Sequence, residues 1–510
     1  MIMNENKRIA INSVIIFIRL VVVSLIGLIT SRLVLQALGA DNYGLYNVVG
    51  GIVTLLNVVN TAMVSTTYRY IAYEMGRKEG GNTNRVFNTS FAIHAAFAIF
   101  IILLGLPIGQ WYVSNHLNVV EGSLPDAHFV LLVSIITTAL NTAVVPYRGL
   151  MTAYENFHIP ALFDIICQSV KLGAIFVLLY ASGNKIKIYS LIMLGYNVLE
   201  AAMYLTYCFR HYLETIRFKL YHDWILVKEM FSFSVWILIG AGASVGKTQG
   251  SAMIINYFFG TLVNAAFAIA NQVENVILMF SRMLNNAAVP QITKNFSGGN
   301  QQRSVKLASY ISKYTFILMT LVAFPFIMEM DFILGIWLKD VPEGSKAFCQ
   351  LMVLGGLIGC MGEGIPALTQ ASGKIKYFQV ILSSITLLGL PISIVCYKLG
   401  AAPYSILLVF CLISFVNAIV RLLLLNIILK IDIKYFITTS YFKMVLISIP
   451  LIIAFLFYNP STFSVPQHLL GLVLMELFLV SDIIILGTDK EERAIIKDKF
   501  KTVKIRLSLK

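Results

Sequence analysis

Five basic residues stand inside long apolar runs: Arg19, Arg32, Lys171, Lys247 and Arg282. At the centre of a bilayer each would cost about 2.5–3.5 kcal/mol on insertion scales. Such a group is retained where it faces a wet cavity, pairs with an acid, or reaches an interface along its own alkyl stem. Arg19 and Lys247 are expected to line a cavity. Lys247 lies in Gly240-Ala-Gly-Ala-Ser-Val-Gly-Lys-Thr-Gln-Gly250, beside Gly242, Gly246 and Gly250, a spacing of four that marks a close-packing or bending face. Lys171 is near mid-run with Asp164 seven residues earlier on the same helical face, so an ion pair between them is the plain structural reading. Arg32, near the end of its run, is expected to snorkel, and Arg282 divides evenly between cavity and packing. Glu200, Glu274 and Glu363 accompany these cations. A membrane carboxylate can neutralise a neighbouring lysine or carry a proton or sodium ion. Cations in a wet cavity would hold an anion.

The chemistry of bond-making is missing its motifs. Gly246-Lys-Thr resembles the tail of a Walker motif, but the upstream glycine spacing and the strand context are absent. No G-x-S-x-G elbow and no H-E-x-x-H occurs. ATP is therefore not expected to drive this chain directly, nor is a resident cofactor or metal expected. The six cysteines (Cys167, Cys208, Cys349, Cys360, Cys396 and Cys411) lie inside apolar runs without a C-x-x-C pair, which reads as packing. His94 reads as a hydrogen-bonded packing residue.

The elements that must position these groups follow from composition. Apolar residues make up 58% of the 510 positions and charged ones 13%, against about 25% charged in soluble proteins. Mean hydropathy is +0.80. Fourteen apolar runs, from 11–37 to 468–487, are each long enough for a transmembrane helix. They neither alternate nor match the ~10-residue strands of a membrane barrel. The expected fold is an all-α polytopic bundle of about fourteen spans. No connection is long enough for an extramembrane domain, and the first run is too long for a cleavable signal.

The net charge of +14 does not point to nucleic acid, because the basic residues are scattered through short loops. With the N-terminus placed in the cytoplasm, 29 lysines and arginines fall to cytoplasmic segments and 5 to outer loops. That bias predicts both termini inside. The chain also repeats. Glu79-Gly-Gly-Asn-Thr-Asn-Arg85 and Ser297-Gly-Gly-Asn-Gln-Gln-Arg303 are offset by 218 residues, as are Ala153 and Ala371, while Pro146 and Pro366 are offset by 220. Two parallel six-helix repeats are expected: an N-terminal lobe 1–220 and a C-terminal lobe 221–435. Two extra helices would occupy 436–488, and a basic cytoplasmic tail 489–510. The tail carries eight basic and four acidic groups and is expected to lie on the anionic inner leaflet. Pro146 is expected to end the fourth span.

Several stretches carry a resemblance. They are Arg19 in the first span, Leu38-Gly-Ala-Asp-Asn-Tyr-Gly-Leu-Tyr46, Ser65-Thr-Thr-Tyr-Arg-Tyr70 and Pro146-Tyr-Arg-Gly-Leu-Met-Thr-Ala-Tyr154. Over essentially the whole chain the sequence resembles the Wzx-type polysaccharide flippases of the multidrug/oligosaccharidyl-lipid/polysaccharide exporter superfamily. The resemblance implies two six-helix lobes that alternate between inward- and outward-open states. It implies an undecaprenyl-pyrophosphate-linked oligosaccharide as substrate, membrane lipids as surroundings, and polysaccharide polymerase and chain-length machinery as partners. It places the chain as a monomer in the cytoplasmic (inner) membrane of a bacterium. Arg19 and Lys247 match the family's cationic first and seventh helices, whereas Lys171 and Arg282 rest on position alone. Glu274, Glu200, Asp164 and Glu363 stand as counter-ions or ion-coupling groups, with Na+, H+ or no coupling ion left open.

Other functions make different demands. A cation-coupled multidrug antiporter of the same superfamily would favour an acidic cavity, and the buried cations outnumber the acids. A membrane polysaccharide polymerase or ligase would need a large outer loop carrying catalytic residues, and the longest outer loop, near 111–126, has no lysine or arginine. A non-transporting scaffold leaves the intramembrane charges without a purpose.

Overall fold

The structure is a computed structural model that describes residues 5–76, 82–120, 122–154, 156, 158–221, 223–297, 300–372, 374–431, 433–460, 463–489 and 492–493. Among these there is no strand, and seventeen α-helices follow one another. They are α1 (Glu5–Gly76), α2 (Thr83–Asn115), α3 (Leu124–Ala153), α4 (His158–Tyr180), α5 (Lys185–His211), α6 (Leu213–Ile216), α7 (Trp224–Ser297), α8 (Gln301–Met328) and α9 (Met330–Trp337). There follow α10 (Ser345–Gly359), α11 (Ile365–Ala371), α12 (Ile375–Leu387), α13 (Gly389–Lys398), α14 (Ser405–Leu429), α15 (Ile433–Phe436), α16 (Phe442–Phe457) and α17 (Val465–Asp482). Twelve stretches are long and apolar enough to cross a membrane, and the chain is a multi-pass membrane protein.

Two helices are too long for one crossing. α1 has 72 residues and α7 has 74, each about 110 Å if straight, against a hydrocarbon core of about 30 Å. Each breaks at a glycine: Gly39 at φ 77° and ψ 167°, Gly260 at φ 79° and ψ −171°. Residues with a Cβ rarely adopt such angles, so glycine is needed at both. At the second break the chain folds back, since the Asn264 side-chain amide donates to the Ala252 carbonyl, 12 residues earlier. α1 and α7 therefore each supply two of the predicted crossings.

The repeat is visible at matching points. Gly39 and Gly260 are 221 positions apart. The Gly-Gly pairs lie outside the described residues, but the asparagine after each is an N-cap: the Asn82 side chain accepts from the Arg85 amide at 2.9 Å, and Asn300 from the Arg303 amide at 3.1 Å. The recurring motif is thus a helix-start signal.

Pro146 does not end its helix. α3 continues to Ala153, and α2, α8 and α16 likewise run through Pro107, Pro325 and Pro450. Neighbouring helices and hydroxyl side chains can satisfy the freed backbone groups inside a membrane bundle.

The chain divides into two compact units. One comprises Met1–Gln272, Trp337–Ser345 and Gln379–Val409; the other comprises Val273–Ile336, Lys346–Phe378 and Phe410–Lys510. The first holds two buried apolar clusters, one around Val49, Val130 and Ile175 and one around Phe87, Leu150 and Met230. In the second, α8, α16 and α17 pack through Phe324, Ile447 and Leu479. All six cysteines are free, and all but Cys396 are buried, as packing residues should be.

The basic tail expected over 489–510 lies mostly outside the described residues. Its start is anchored by acids. Glu492 receives Lys313 Nζ at 2.7 and 2.8 Å and the Tyr314 hydroxyl at 2.7 Å, and Asp489 pairs with Lys443 at 3.1 Å. Lys313 is fully buried. It lies on α8, which begins twelve residues earlier at Gln301.

Candidate functional site

Within the first unit, α1, α3, α4 and α5 gather a cluster of charged and aromatic side chains. Arg19 on α1 forms an ion pair with Asp164 on α4. Arg148 on α3 pairs with Glu200 on α5 at 2.9 Å. Lys171 on α4 lies 4.9 Å from the centre of the Tyr196 ring, and the Arg148 guanidinium 5.4 Å from that of Tyr204. Both are cation–π distances. The Asn141 amide donates to Asn197 Oδ1 at 2.8 Å, and Arg148 Nη2 reaches Asn141 Oδ1 at 3.4 Å. Glu200 is close enough to Arg148, Asp164, Arg19 and Lys171 to feel all four charges. Arg148 Nε and Gln168 Oε1 are buried without a hydrogen-bond partner, a state that costs about 1–3 kcal/mol per group.

The cluster has three cations and two carboxylates. Arg19 and Arg148 are each neutralised by one acid. Lys171 has an aromatic face and no carboxylate contact among the described residues. The ensemble therefore carries one excess positive charge inside the span region, in the company of amide and phenol donors. Such a set can receive an anion with charge-assisted hydrogen bonds.

The expected Asp164–Lys171 pair does not form. Two helical turns separate them, and an arginine arriving from α1 reaches the carboxylate first. Arg148 was missed in the sequence because Pro146 was read as the end of the span, which put Arg148 in a loop. Arg421 was also missed, though it stands inside an apolar run. It belongs to α14 and donates from Nη1 to the Gly359 carbonyl at 3.2 Å.

The remaining predicted groups are placed as follows. Lys247 is half-buried on α7 of the first unit. Its glycine neighbours press on α12 and α13: a Cβ at Gly246 would lie 3.1 Å from Leu387, and one at Gly250 2.8 Å from Leu390. Gly240 meets Gln379 in the same way. Arg32 is exposed. His94 is buried, with Nδ1 2.6 Å from the Ser90 carbonyl. In the second unit, Glu274 borders Gly356, and Glu274, Glu363 and Arg421 all act electrostatically on Cys360. Arg282 lies on α7, with its side chain outside the described residues.

Repeat-related turns meet within the first unit. Asp41 Oδ1 accepts from the Thr261 hydroxyl at 2.9 Å, and the Asn47 amide donates to Asn264 Oδ1 at 3.1 Å. Gly44 sits so close that a Cβ there would be 1.9 Å from the Thr261 carbonyl oxygen. The Leu38–Tyr46 stretch thus works as a turn seated against its repeat partner.

No protein-family model and no curated protein matches the sequence. Solved structures match the fold. A multidrug resistance MATE family transporter of the MOP superfamily, in an inward-facing conformation, is similar with a TM-score of 0.67 at 15% identity, over 80% of this chain and 94% of that one. The lipid II flippase MurJ, in an inward closed conformation, has a TM-score of 0.69 at 14% identity, over 92% of this chain and 98% of that one. A MOP superfamily transporter from Pyrococcus furiosus, whose binding pocket is described as having reverse polarity, has a TM-score of 0.60 at 15% identity, over 83% and 96%. The chain has the fold of these MOP superfamily structures.

Proposed function

We propose that this protein flips an undecaprenyl-pyrophosphate-linked oligosaccharide across a bacterial cytoplasmic membrane by alternating access, in O-antigen, capsule or exopolysaccharide biosynthesis. The observation that carries this reading is the excess cation in the Arg19–Asp164–Arg148–Glu200–Lys171 cluster. A pyrophosphate needs such a charge balance, and a cationic drug would be repelled by it. The comparisons lend support in one respect. This chain covers 94% of the MATE structure yet leaves a fifth of itself unmatched, whereas the lipid II flippase accounts for 92% of it.

In this reading Arg19, Lys171, Lys247 and Arg282 contact the pyrophosphate, with Arg148 added from the geometry. Asp164, Glu200, Glu274 and Glu363 balance charge in the empty state. The lobes 1–220 and 221–435 rock about the site, and 436–488 forms an appended helix pair.

The test is surface polysaccharide in a flippase-null strain carrying each variant at matched membrane abundance. Losing one charge-assisted contact costs about 1.5–3 kcal/mol, roughly a tenfold to hundredfold loss of affinity. Lys171→Gln and Lys247→Ala should each reduce export sharply, and Lys247→Arg should retain part of it. Full export from the Lys171→Gln/Lys247→Ala double variant overturns the anion site. Efflux of a cationic dye that those variants leave unchanged would favour the multidrug antiporter instead.

A further inference from the structure

The two repeats differ at one matched place. In the first, the opening turns of α2 clamp the segment that follows α5. The Asn84 amide donates to the Thr215 carbonyl at 2.9 Å and the Arg217 carbonyl at 2.8 Å. Asn88 donates to the Arg217 carbonyl at 3.0 Å and accepts from the Lys219 amide at 3.2 Å. Short amide side chains hold the backbone close at that place.

An offset of 218 carries Asn84 to Gln302, Asn88 to Lys306, Tyr212 to Lys430 and Arg217 to Tyr435. Among the described residues of the second repeat no such clamp forms. Between the start of α8 and the segment after α14 a cavity of about 490 Å³ opens, lined by Gln301, Gln302, Val305, Lys306, Lys430, Ile431 and Tyr435. No lining residue is acidic. Neither Lys306 nor Lys430 forms an ion pair among the described residues. Tyr435 is held by a hydrogen bond to Tyr310, over whose ring the Lys306 ammonium lies at 5.8 Å. Lys430 closes α14 in the left-handed region at φ 53°, an uncommon conformation for a residue with a side chain.

We infer that this cavity is a binding site for a phosphoryl group, separate from the transport cluster, with Lys306 and Lys430 as its cationic contacts. Ammonium groups suit phosphate as point charges, and the glutamine amides can donate to its remaining oxygens. The volume is within the usual range for a small-ligand site and exceeds what one phosphate fills. On the orientation implied by the basic-residue bias, the cavity opens at the cytoplasmic leaflet, where anionic headgroups are concentrated. A phospholipid headgroup and free phosphate share the recognised chemistry.

The full-length protein in neutral detergent is titrated with dihexanoyl phosphatidylglycerol, dihexanoyl phosphatidylcholine and inorganic phosphate, with thermal stabilisation and native mass spectrometry as readouts. Saturable binding of the anionic lipid is expected, weakened about tenfold by Lys306→Gln or Lys430→Gln and further by both, as for loss of charge-assisted contacts. Lys306→Arg should bind like wild type. Lys219→Gln, an exposed lysine in the first repeat, should change nothing. Inorganic phosphate that competes with the lipid at equal affinity identifies the soluble ion as ligand; binding of the anionic lipid alone identifies the headgroup. Equal weakening by Lys219→Gln shows diffuse attraction and overturns the site. So does wild-type affinity in the double variant, equal binding of the zwitterionic lipid, or no saturable binding at all.

Discussion

Arg19 and Asp164 come from apolar runs 145 positions apart, and their ion pair admits two roles. A structural pair loses something whichever partner is removed, because the survivor is left uncompensated. A substrate-exchanged pair behaves asymmetrically: the arginine passes from carboxylate to pyrophosphate, and the acid is only its resting partner. On the flippase reading, Arg19→Gln should lower polysaccharide export about tenfold or more, while Asp164→Asn keeps most of it at equal membrane abundance. Matching losses from the two variants would make the pair structural. The sequence showed both residues but not their pairing. Spacing along one helix suggested Lys171 for Asp164, and tertiary contact supplied Arg19. Arg148 was hidden for a different reason. Proline punctuates helices in water, yet α3 passes through Pro146, so a motif that looked like a loop is a helix face bearing a charge.

At the level of elements, apolar length located nearly every crossing. Gly39 was legible within the Leu38–Tyr46 motif whereas Gly260 belonged to no motif singled out, and the recurring Gly-Gly-Asn proved to be a cap signal. What length and hydropathy could not show is which charges an element carries inward at its ends. Lys313 is the clearest case. It lies four turns short of the end of α8, fully buried, with Glu492 at 2.7 Å and Asp489 at 3.9 Å. This clasp joins the middle of α8 to the chain just after α17. Burial acts against the Glu492 carboxylate, but Lys313, the Tyr314 hydroxyl and the Asp489 amide outweigh it and hold the group below its ordinary value. A depressed carboxylate stabilises the fold above its unfolded pKa, and that contribution is lost as pH falls through its lowered folded value. Glu492→Gln should therefore destabilise the purified protein by about 3 kcal/mol near neutral pH, because a buried ammonium loses its main partner. The difference from wild type should shrink in strong acid. Lys313→Met/Glu492→Gln should recover most of the loss. Thermal unfolding of the three proteins in one detergent checks this, and a neutral Glu492→Gln would show that Asp489 alone satisfies the lysine.

For the molecule as a whole, an even number of crossings puts both ends of the chain on one face. Twelve long apolar stretches are present. Two lie in helices that fold at Gly39 and Gly260, which brings the crossings to fourteen. On the bias of 29 basic residues against 5, we propose that the ends lie inside. Arg148, Lys313 and Arg421 counted toward the 29 though they lie within helices; removing all three leaves the bias overwhelming. Cysteine labelling tests the arrangement directly, since five of the six native cysteines are buried and only Cys396 needs replacement. In intact cells a membrane-impermeant maleimide should label Val120→Cys and Glu343→Cys, both on exposed positions. Glu343 is preferable to its neighbour Pro342, which is buried. Lys219→Cys and Arg303→Cys, also exposed, should react only after permeabilisation. The last two positions lie in the two different repeats, at ends that a parallel duplication must put on the same face. Labelling of Arg303→Cys but not Lys219→Cys from outside would invert one repeat. Alternating access between two like-oriented lobes would then fail as a mechanism, even with the cationic cluster intact.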